Sequence, residues 1–352
     1  MAKDVYAKKH PATYFNNLLM STEQDAINMM KRYSLHPPDH AGTLGTTIRT
    51  IDNVRTTGEG RDQAIRVANM LDKKVAWLDL TRGKRGQNWQ SGNEGGGTLY
   101  GSCSYVESPT AVPVYWLPWD TAGAVISLNI PRMGSGRPDE PDPNRFFTAA
   151  INGCSVFFVG NPDAPTVYHC GGSTYISNHD KAAKFWRDLV TRMGGTPAGE
   201  VNKTDYIKTE GVKDSHGFDT TQAAKDYQTW LTSTYQELEI EEVRPWGCVM
   251  GLRDDDGNWK FYLQQNVSVG YYTLKKKGVF SKTLVRQKEA VTVTQTSAKG
   301  KVSVVKKKDR SGNTIMVDRQ RTVSRPISFY EVYPNQALPV RIQAPIPKTK
   351  HG

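Results

Sequence analysis

A cysteine and a histidine, Cys154 and His169, stand at or near the ends of two neighbouring segments that have the character of β-strands. The first segment runs from Ser155 to Val159, and the second ends in Tyr168 and His169. A thiol attacks as its thiolate, and a nearby imidazole is a common group for removing the proton. If the two segments pair, Cys154 and His169 form the smallest unit of thiol chemistry.

Two further residues extend this pair toward acyl chemistry. Thr148 is the nearest polar side chain in the sequence that can fix the imidazole tautomer. Gly153 lets the backbone approach a substrate carbonyl, so that the N–H group of Cys154 can face a developing oxyanion. This arrangement suits attack on a carboxamide and hydrolysis of the resulting thioester. The alternative is that Cys154 is a core residue, because unpaired cysteine is among the most buried residue types.

The composition limits the class of protein. The chain has 352 residues and a mass of 39.3 kDa, enough for one large domain or two ordinary ones. Its mean hydropathy is −0.58, and no apolar run is long enough to predict a membrane-spanning helix. No apolar segment follows the early lysines, so we expect no Sec signal peptide, and export would need another route. The 4 cysteines form no CxxC pair, so we expect neither a zinc site nor a disulfide framework.

The positive charge is concentrated in the last quarter of the chain. Residues 258–352 hold 19 Lys and Arg against 4 Asp and Glu, a formal charge of +15. The first 257 residues hold 27 against 31, a charge of −4. This asymmetry predicts an acidic partner surface, either nucleic acid or phospholipid, and carries no information about catalysis.

The hydrophobic patterns predict a mixed fold with much β-structure. We expect a helix over Ser21–Tyr33, with Ser21 as N-cap and Gln24 completing a capping box. Further predicted helices cover Arg61–Leu71, Asn178–Met193 and Thr220–Glu237. Predicted strands cover Gly45–Val54, Lys74–Leu80, Val112–Trp119 with its turn, a hairpin of Val243–Leu252 with Trp259–Leu263, and several basic segments after Tyr271. The segments Arg82–Gly97 and Lys203–Phe218 are predicted loops.

Several short motifs occur in an order that resembles a known family. They are Tyr115-Trp-Leu-Pro-Trp119, Phe146-Phe-Thr148, Gly153-Cys154, His169 and Lys184-Phe-Trp186-Arg187. This order resembles the catalytic core of glutamine deamidases of the Burkholderia lethal factor type, which are related in their active site to the cytotoxic necrotizing factors. The likeness covers roughly residues 115 to 190. The family's Leu-Ser-Gly-Cys is Ile151-Asn152-Gly153-Cys154 in this chain, so the pocket differs at Asn152.

The resemblance implies a function for the central residues. It makes Cys154 the nucleophile, His169 the base and acid, and Thr148 the orienting third member of the site. We add Gly153, Asn152 and Tyr168 as candidate contacts for the oxyanion or the substrate. The activity implied is that of a toxin or effector that converts a glutamine side chain of a host protein to glutamate in the cytosol of a target cell. It needs no metal and no organic cofactor.

The fold implied is α/β (α+β), with a mixed β-sandwich core surrounded by helices and loops. We expect a catalytic domain in residues 1–270, with its recognisable core in residues 112–194. A basic, β-rich region in residues 271–352 follows, as a separate docking domain or as part of the sandwich.

Other functions remain open at this stage. The same thioester serves a transglutaminase if an amine resolves it, and a cysteine protease if a peptide bond forms it. A protein of another class would bind nucleic acid or serve a structural role through the basic C-terminal region. The aromatic residues Tyr271, Tyr272, Phe329 and Tyr330 would then stack on bases. Lysine runs such as Lys275–Lys277 are also typical of solvated strand faces.

Overall fold

A computed structural model describes most of the chain. The described residues are 11–37, 48–58, 61–70, 73–82, 97–120, 123–136, 138–171, 179–206, 238–279, 282–296, 302–337 and 342. The predicted helix over Thr220–Glu237, most of the predicted loop Arg82–Gly97 and all but the start of the predicted loop Lys203–Phe218 lie outside these residues.

Within the described residues the chain is built mainly from strands, with a few helices. The helices are α1 (Pro11–Met20), α2 (Glu23–Arg32), α3 (His179–Gly194) and α4 (Lys203–Tyr206). The first strands are β1 (Tyr33–His36), β2 (Ile48–Gly58), β3 (Arg61–Met70), β4 (Val75–Arg82), β5 (Gly97–Ser104), β6 (Val112–Leu117), β7 (Ala124–Asn129), β8 (Arg145–Thr148), β9 (Ser155–Val159), β10 (Thr166–Cys170) and β11 (Gly199–Val201). The later strands are β12 (Leu238–Arg253), β13 (Trp259–Lys276), β14 (Leu284–Arg286), β15 (Lys288–Ala290), β16 (Thr292–Thr296), β17 (Val302–Lys306), β18 (Met316–Asp318) and β19 (Gln320–Tyr333).

Two large sheets pack face to face and enclose the main core. The first sheet has the order β1-β5-β4-β6-β8-β12-β13, and β13 also pairs with β19. The second sheet has the order β11-β9-β10-β7-β3-β2. Both sheets are mixed, because β1 with β5, β6 with β8 and β3 with β7 run parallel while the other pairs run antiparallel. The predicted mixed sandwich in a sheet-rich α+β fold is therefore confirmed.

Helices cover the outer faces of both sheets. Phe15 of α1 and Met29 of α2 join a buried cluster with Trp116 and Phe147 on the outer face of the first sheet. Trp186 of α3 joins another cluster, on the outer face of the second sheet. Because both faces of the central strands are covered, a strand such as β9 is buried at every residue and reads in the sequence as a continuous apolar run.

The N-terminal helices are fastened to the first sheet by one buried amide. Gln264 of β13 donates through Nε2 to the carbonyls of Met30, at 2.5 Å, and Tyr33, at 2.8 Å. Its Oε1 accepts from the N–H of Leu35 at 2.9 Å. Three backbone groups of the turn from α2 into β1 are thus satisfied by a side chain more than 200 residues away, which the hydrophobic pattern does not predict.

The basic C-terminal region is continuous with the first sheet at its base. Strand β13 passes through residue 270, where the sequence predicted the start of a second region. Strand β19 pairs with β13 from Phe261 to Tyr272, and Ile327 and Phe329 are buried. Residues 320–333 therefore complete the first sheet.

Two sequence predictions are wrong in their local detail. Residues 61–70 form strand β3 and not a helix, because Ile65 and Val67 lie on the face covered by α3 and Ala68 on the opposite face, with the period of a strand between β2 and β7. Helix α2 is capped by Thr22, whose hydroxyl accepts from the N–H of Asp25, and not by Ser21. The hydroxyl of Ser21 instead donates to Asp25 at 2.9 Å.

No helix among the described residues is long and apolar enough to span a membrane.

Candidate functional site

The pairing of β9 with β10 places Cys154 and His169 on one face of the second sheet. His169 lies opposite Val156 in the antiparallel register. Directly paired side chains point to the same face of a sheet, and side chains two residues apart on one strand also share a face. Cys154 directly precedes β9, two residues before Val156, and packs in the same buried cluster as Val156, which places it on the face of His169. This face points into the core between the two sheets, where Cys154 packs with Val156 and Leu117.

Both reactive groups are buried. Cys154 is 6% exposed and His169 is 2% exposed. The neighbouring residues open toward solvent, since Asn152 is exposed and Gly153 is partly exposed. A Cβ atom added to Gly153 would meet no atom within 4 Å, so there is open space beside the backbone that leads into Cys154. Gly153 has φ +106°, a left-handed conformation that favours glycine.

The imidazole of His169 is neutral at neutral pH. Burial lowers its pKa to about 4, although the nearby backbone carbonyls of Pro118 and Leu117 act to raise it. Neither ring nitrogen makes a hydrogen bond of ordinary geometry with a described residue. A buried neutral imidazole is suited to accept a proton from a thiol that comes into reach.

Thr148 lies at the end of β8, in the first sheet, and is fully buried. Its hydroxyl donates to the carbonyl of Ala149 at 2.8 Å and accepts from the N–H of Val249 at 3.4 Å. Thr148 also pairs in register with Leu117, whose carbonyl is close to His169. Thr148 thus lies near His169 through Leu117, but the hydroxyl of Thr148 forms its hydrogen bonds with backbone groups and not with the imidazole.

Tyr206 fixes the backbone on both sides of the candidate nucleophile. Its hydroxyl accepts from the N–H of Gly153 at 2.8 Å and donates to the carbonyl of Cys154 at 2.8 Å. Burial raises the pKa of Tyr206 well above its usual value, and the charge of a Cys154 thiolate would raise it further. The phenol therefore stays protonated. Because the N–H of Gly153 is occupied by this contact, it is not a donor for an oxyanion.

Replacement of Tyr206 by Phe is expected to loosen this backbone. The variant Tyr206→Phe removes the hydroxyl that bonds the Gly153 N–H and the Cys154 carbonyl, and we expect a loss of about 1–3 kcal/mol in the free energy of unfolding. Urea denaturation measures this loss. The matched control is Tyr100→Phe, because the Tyr100 hydroxyl makes no hydrogen bond with a described residue. Equal stability of the two variants would contradict a positioning role for Tyr206.

The last two predicted site residues, Asn152 and Tyr168, lie in different places. Asn152 is beside Gly153 at the exposed end of the site. Tyr168 precedes His169 on β10 and therefore points to the opposite face, where it packs with Trp186 of α3. Tyr168 is thus separated by the sheet from Cys154 and His169.

The other cysteines have no comparable surroundings. Cys170 is fully buried on the face of Tyr168, and burial, with a smaller effect of Cys154, raises its pKa well above the usual value. Burial also raises the pKa of Cys103 and of Cys248. A raised pKa disfavours the thiolate, so these thiols are poor nucleophiles.

Sequence reasoning missed Tyr206 and the carbonyls of Leu117 and Pro118. Tyr206 lies in the predicted loop Lys203–Phe218, where the structure has the short helix α4. A signal for this helix was present, because Asn202 and Asp205 have the spacing of a capping box, and Asp205 accepts from the N–H of Asn202 at 2.6 Å. The carbonyls carry no signal in residue type, since every residue has one.

The described residues contain no group of three or more His, Cys, Asp and Glu side chains that could hold a metal ion.

No family model matches this chain, and no curated protein matches its sequence.

Proposed function

We propose that the protein is a cysteine-dependent glutamine deamidase that acts on a protein substrate. The observation that carries the proposal is the shared face of Cys154 and His169 on paired strands, beside open space at Gly153. The resemblance in sequence supports the same residues in the same roles. The implied setting, release by a route other than Sec and action in the cytosol of a target cell, is part of this proposal.

The proposed first step forms a thioester. His169 takes the proton of the Cys154 thiol, and Sγ attacks the carbonyl carbon of the glutamine carboxamide. A tetrahedral oxyanion forms, and the protonated His169 then gives its proton to the amide nitrogen. The C–N bond breaks and ammonia leaves, so Cys154 holds the acyl group. The neutral state of the buried imidazole at the start supports its role as the base.

The second step hydrolyses the thioester. A water molecule loses a proton to His169 and attacks the acyl carbon, and the returning proton restores the Cys154 thiol. The products are a glutamate side chain and the original enzyme. If an amine takes the place of water, the product is a crosslink, and if the acyl group comes from a peptide bond, the product is a cleaved chain.

The competing function, base stacking by the C-terminal aromatic residues, has little support. Tyr271 is fully buried and Phe329 is nearly so, stacked on Tyr262. The Tyr272 ring is covered by the guanidinium of Arg286 at 3.7 Å. Three of the four rings are therefore occupied within the protein.

The proposal is tested by mass spectrometry of a protein extract incubated with the wild type and with Cys154→Ser. We expect a shift of about +1 Da at specific glutamines with the wild type only, because an amide becomes an acid. Crosslinked products would identify a transglutaminase, and fragments a protease. The proposal fails if no product forms and Cys154 is also inert to an alkylating probe at neutral pH.

A further inference from the structure

Residues 273–319 are called here the basic arm, and the described part of this range leaves the first sheet as branched β-hairpins. At its base three strands meet in a closed ring of backbone hydrogen bonds. The N–H of Gln287 donates to Thr273 at 2.8 Å, that of Arg319 to Gln287 at 2.6 Å, and that of Thr273 to Arg319 at 3.4 Å. From this ring one branch is the hairpin of β13 and β14, and the other is the ladder of β15 and β18.

The second branch divides again in the same way. The N–H of Val291 donates to Ile315 at 2.9 Å, that of Ile315 to Lys307 at 2.9 Å, and that of Lys307 to Val291 at 2.7 Å. Beyond this ring lie the hairpin of β16 and β17 and a short turn closed by the bridge of Lys308 with Thr314. The basic arm therefore consists of two-stranded ribbons, and side chains at the ends of these ribbons are largely exposed on both faces.

Almost the whole net charge of the protein is in the basic arm. Residues 273–319 contain 13 Lys and Arg against 3 Asp and Glu, a formal charge of +10 out of +11 for the chain. The rest of the chain contains 33 against 32 and is therefore close to neutral. The positive electrostatic potential therefore arises mainly from the basic arm, and it attracts an extended anionic surface.

Two lysine runs of the basic arm are exposed and can meet a partner, whereas two arginines at its base are held in ion pairs within the protein. Arg286 pairs with Glu239 and with Asp318, and Arg319 pairs with Glu289. The runs Lys275–Lys277 and Lys306–Lys308 are exposed and form no ion pair with a described residue. The internal ion pairs thus stiffen the base, and the uncompensated charge lies toward the ribbons.

Apolar side chains are exposed among these lysines. Of the eight large hydrophobic residues that are exposed in the described part of the chain, five are in the basic arm: Val279, Leu284, Val304, Met316 and Val317. Val279 is 89% exposed and lies after β13, two residues beyond Lys277. The N–H of Lys277 donates to Thr283 at 2.9 Å.

We propose that the basic arm binds the surface of an anionic lipid membrane, with the exposed segment Lys275–Val279 at the end of β13 as its main contact. Lysines attract anionic headgroups, and an apolar side chain such as Val279 gains by entering the boundary between headgroups and acyl chains. Nucleic acid would also attract the lysines, but its phosphate backbone offers no partner for the exposed apolar side chains Val279, Leu284 and Val304. The inference goes beyond the proposed deamidase and does not depend on Cys154.

The test is co-sedimentation of the full chain with vesicles of phosphatidylcholine, with and without phosphatidylserine, at about 150 mM NaCl. We expect binding only to the vesicles that contain phosphatidylserine. The variant Lys275→Gln, Lys276→Gln, Lys277→Gln is expected to lower the partition coefficient roughly 100-fold. Val279→Ser is expected to lower it roughly tenfold, and this loss should persist at higher salt because it is not electrostatic.

The matched control removes three charges elsewhere. Arg49, Arg55 and Arg192 are exposed, and each is replaced by Gln. This variant should bind vesicles within about twofold of the wild type, because its changes lie outside the basic arm. Cys154→Ser should also bind as the wild type does, so that failure of the deamidase proposal and failure of the membrane proposal give different results.

Several outcomes would overturn the inference. Equal binding to neutral vesicles, an unchanged partition of the lysine variant, or equal losses in the lysine variant and the arginine control would each do so. Binding of a duplex or single-stranded oligonucleotide at the same salt, with no binding to anionic vesicles, would assign the basic arm to nucleic acid instead.

Discussion

Replacement of His169 by Asn is expected to lower deamidation at least about 1000-fold, and Cys154→Ser to lower it at least as much. Both groups act in each half of the proposed reaction, since the imidazole moves the proton and the thiol carries the acyl group. Residues that act as a unit give losses that do not add, so the double variant should be no slower than the slower single variant. The measurement is the rate of ammonia release from a substrate identified by mass spectrometry.

The variant Thr148→Val tests which groups orient the His169 imidazole, the Thr148 hydroxyl or the nearby backbone carbonyls. The hydroxyl of Thr148 is bonded to Ala149 and Val249, whereas the carbonyls of Leu117 and Pro118 are close to the ring. We therefore expect Thr148→Val to retain much more activity than His169→Asn. A loss as large as that of His169→Asn would instead favour Thr148 as the orienting member, as the family resemblance implies. A fully active His169→Asn variant would contradict the assignment of His169 as the base.

The second large effect is a loss of stability at acidic pH that originates at His169. The imidazole of the unfolded chain binds a proton near pH 6.5, whereas that of the folded protein does so only near its pKa of about 4. Between these values the unfolded state binds more protons, so the free energy of unfolding falls as the pH falls from about 6.5 to about 4. The full loss is about 3 kcal/mol, and below pH 4 this contribution does not change further.

Urea denaturation at a series of pH values measures this effect. His169→Asn removes the titrating group, so its unfolding free energy should be flatter between pH 6.5 and 4 than that of the wild type. A matched control is Thr148→Val, which changes a buried residue of the same site without removing a titrating group, and this variant should keep the wild-type slope. If His169→Asn and the wild type show the same slope in this range, the buried neutral state of His169 is wrong.

The sequence predicted the site best where apolar runs are short and bounded by turns. The strands β9 and β10, the helix α3 and the hairpin of β12 with β13 were all predicted near their observed positions. The alternation of side chains along β10 also contained the information that Tyr168 and His169 point to opposite faces. Residues 61–70 failed because Ile65, Val67 and Ala68 fit a helical and a strand pattern equally well over so short a segment, and pairing with β2 and β7 decided between them.

Other parts of the site depend on contacts between distant segments and could not be predicted. Tyr206 meets Gly153 across 53 residues, and Thr148 finds Val249 across 101 residues. Such partners are selected by tertiary packing and by the pairing of distant strands, such as β8 with β12, and not by any local propensity. The charge asymmetry was visible in the sequence, but its concentration on a branched projection was not.

The amide of Gln264 links the order of synthesis to the order of folding. Its contacts with the turn from α2 into β1 span 229 to 234 residues, so the first helices cannot gain them until most of the chain has left the ribosome. At a synthesis rate of about 5–20 residues per second, that delay is on the order of 10 to 50 seconds. During this interval α2 lacks its contacts with β19, whereas α1 can already pack on β4. The high contact order of this arrangement favours slow folding and lengthens the time in which α2 is open to non-native contacts.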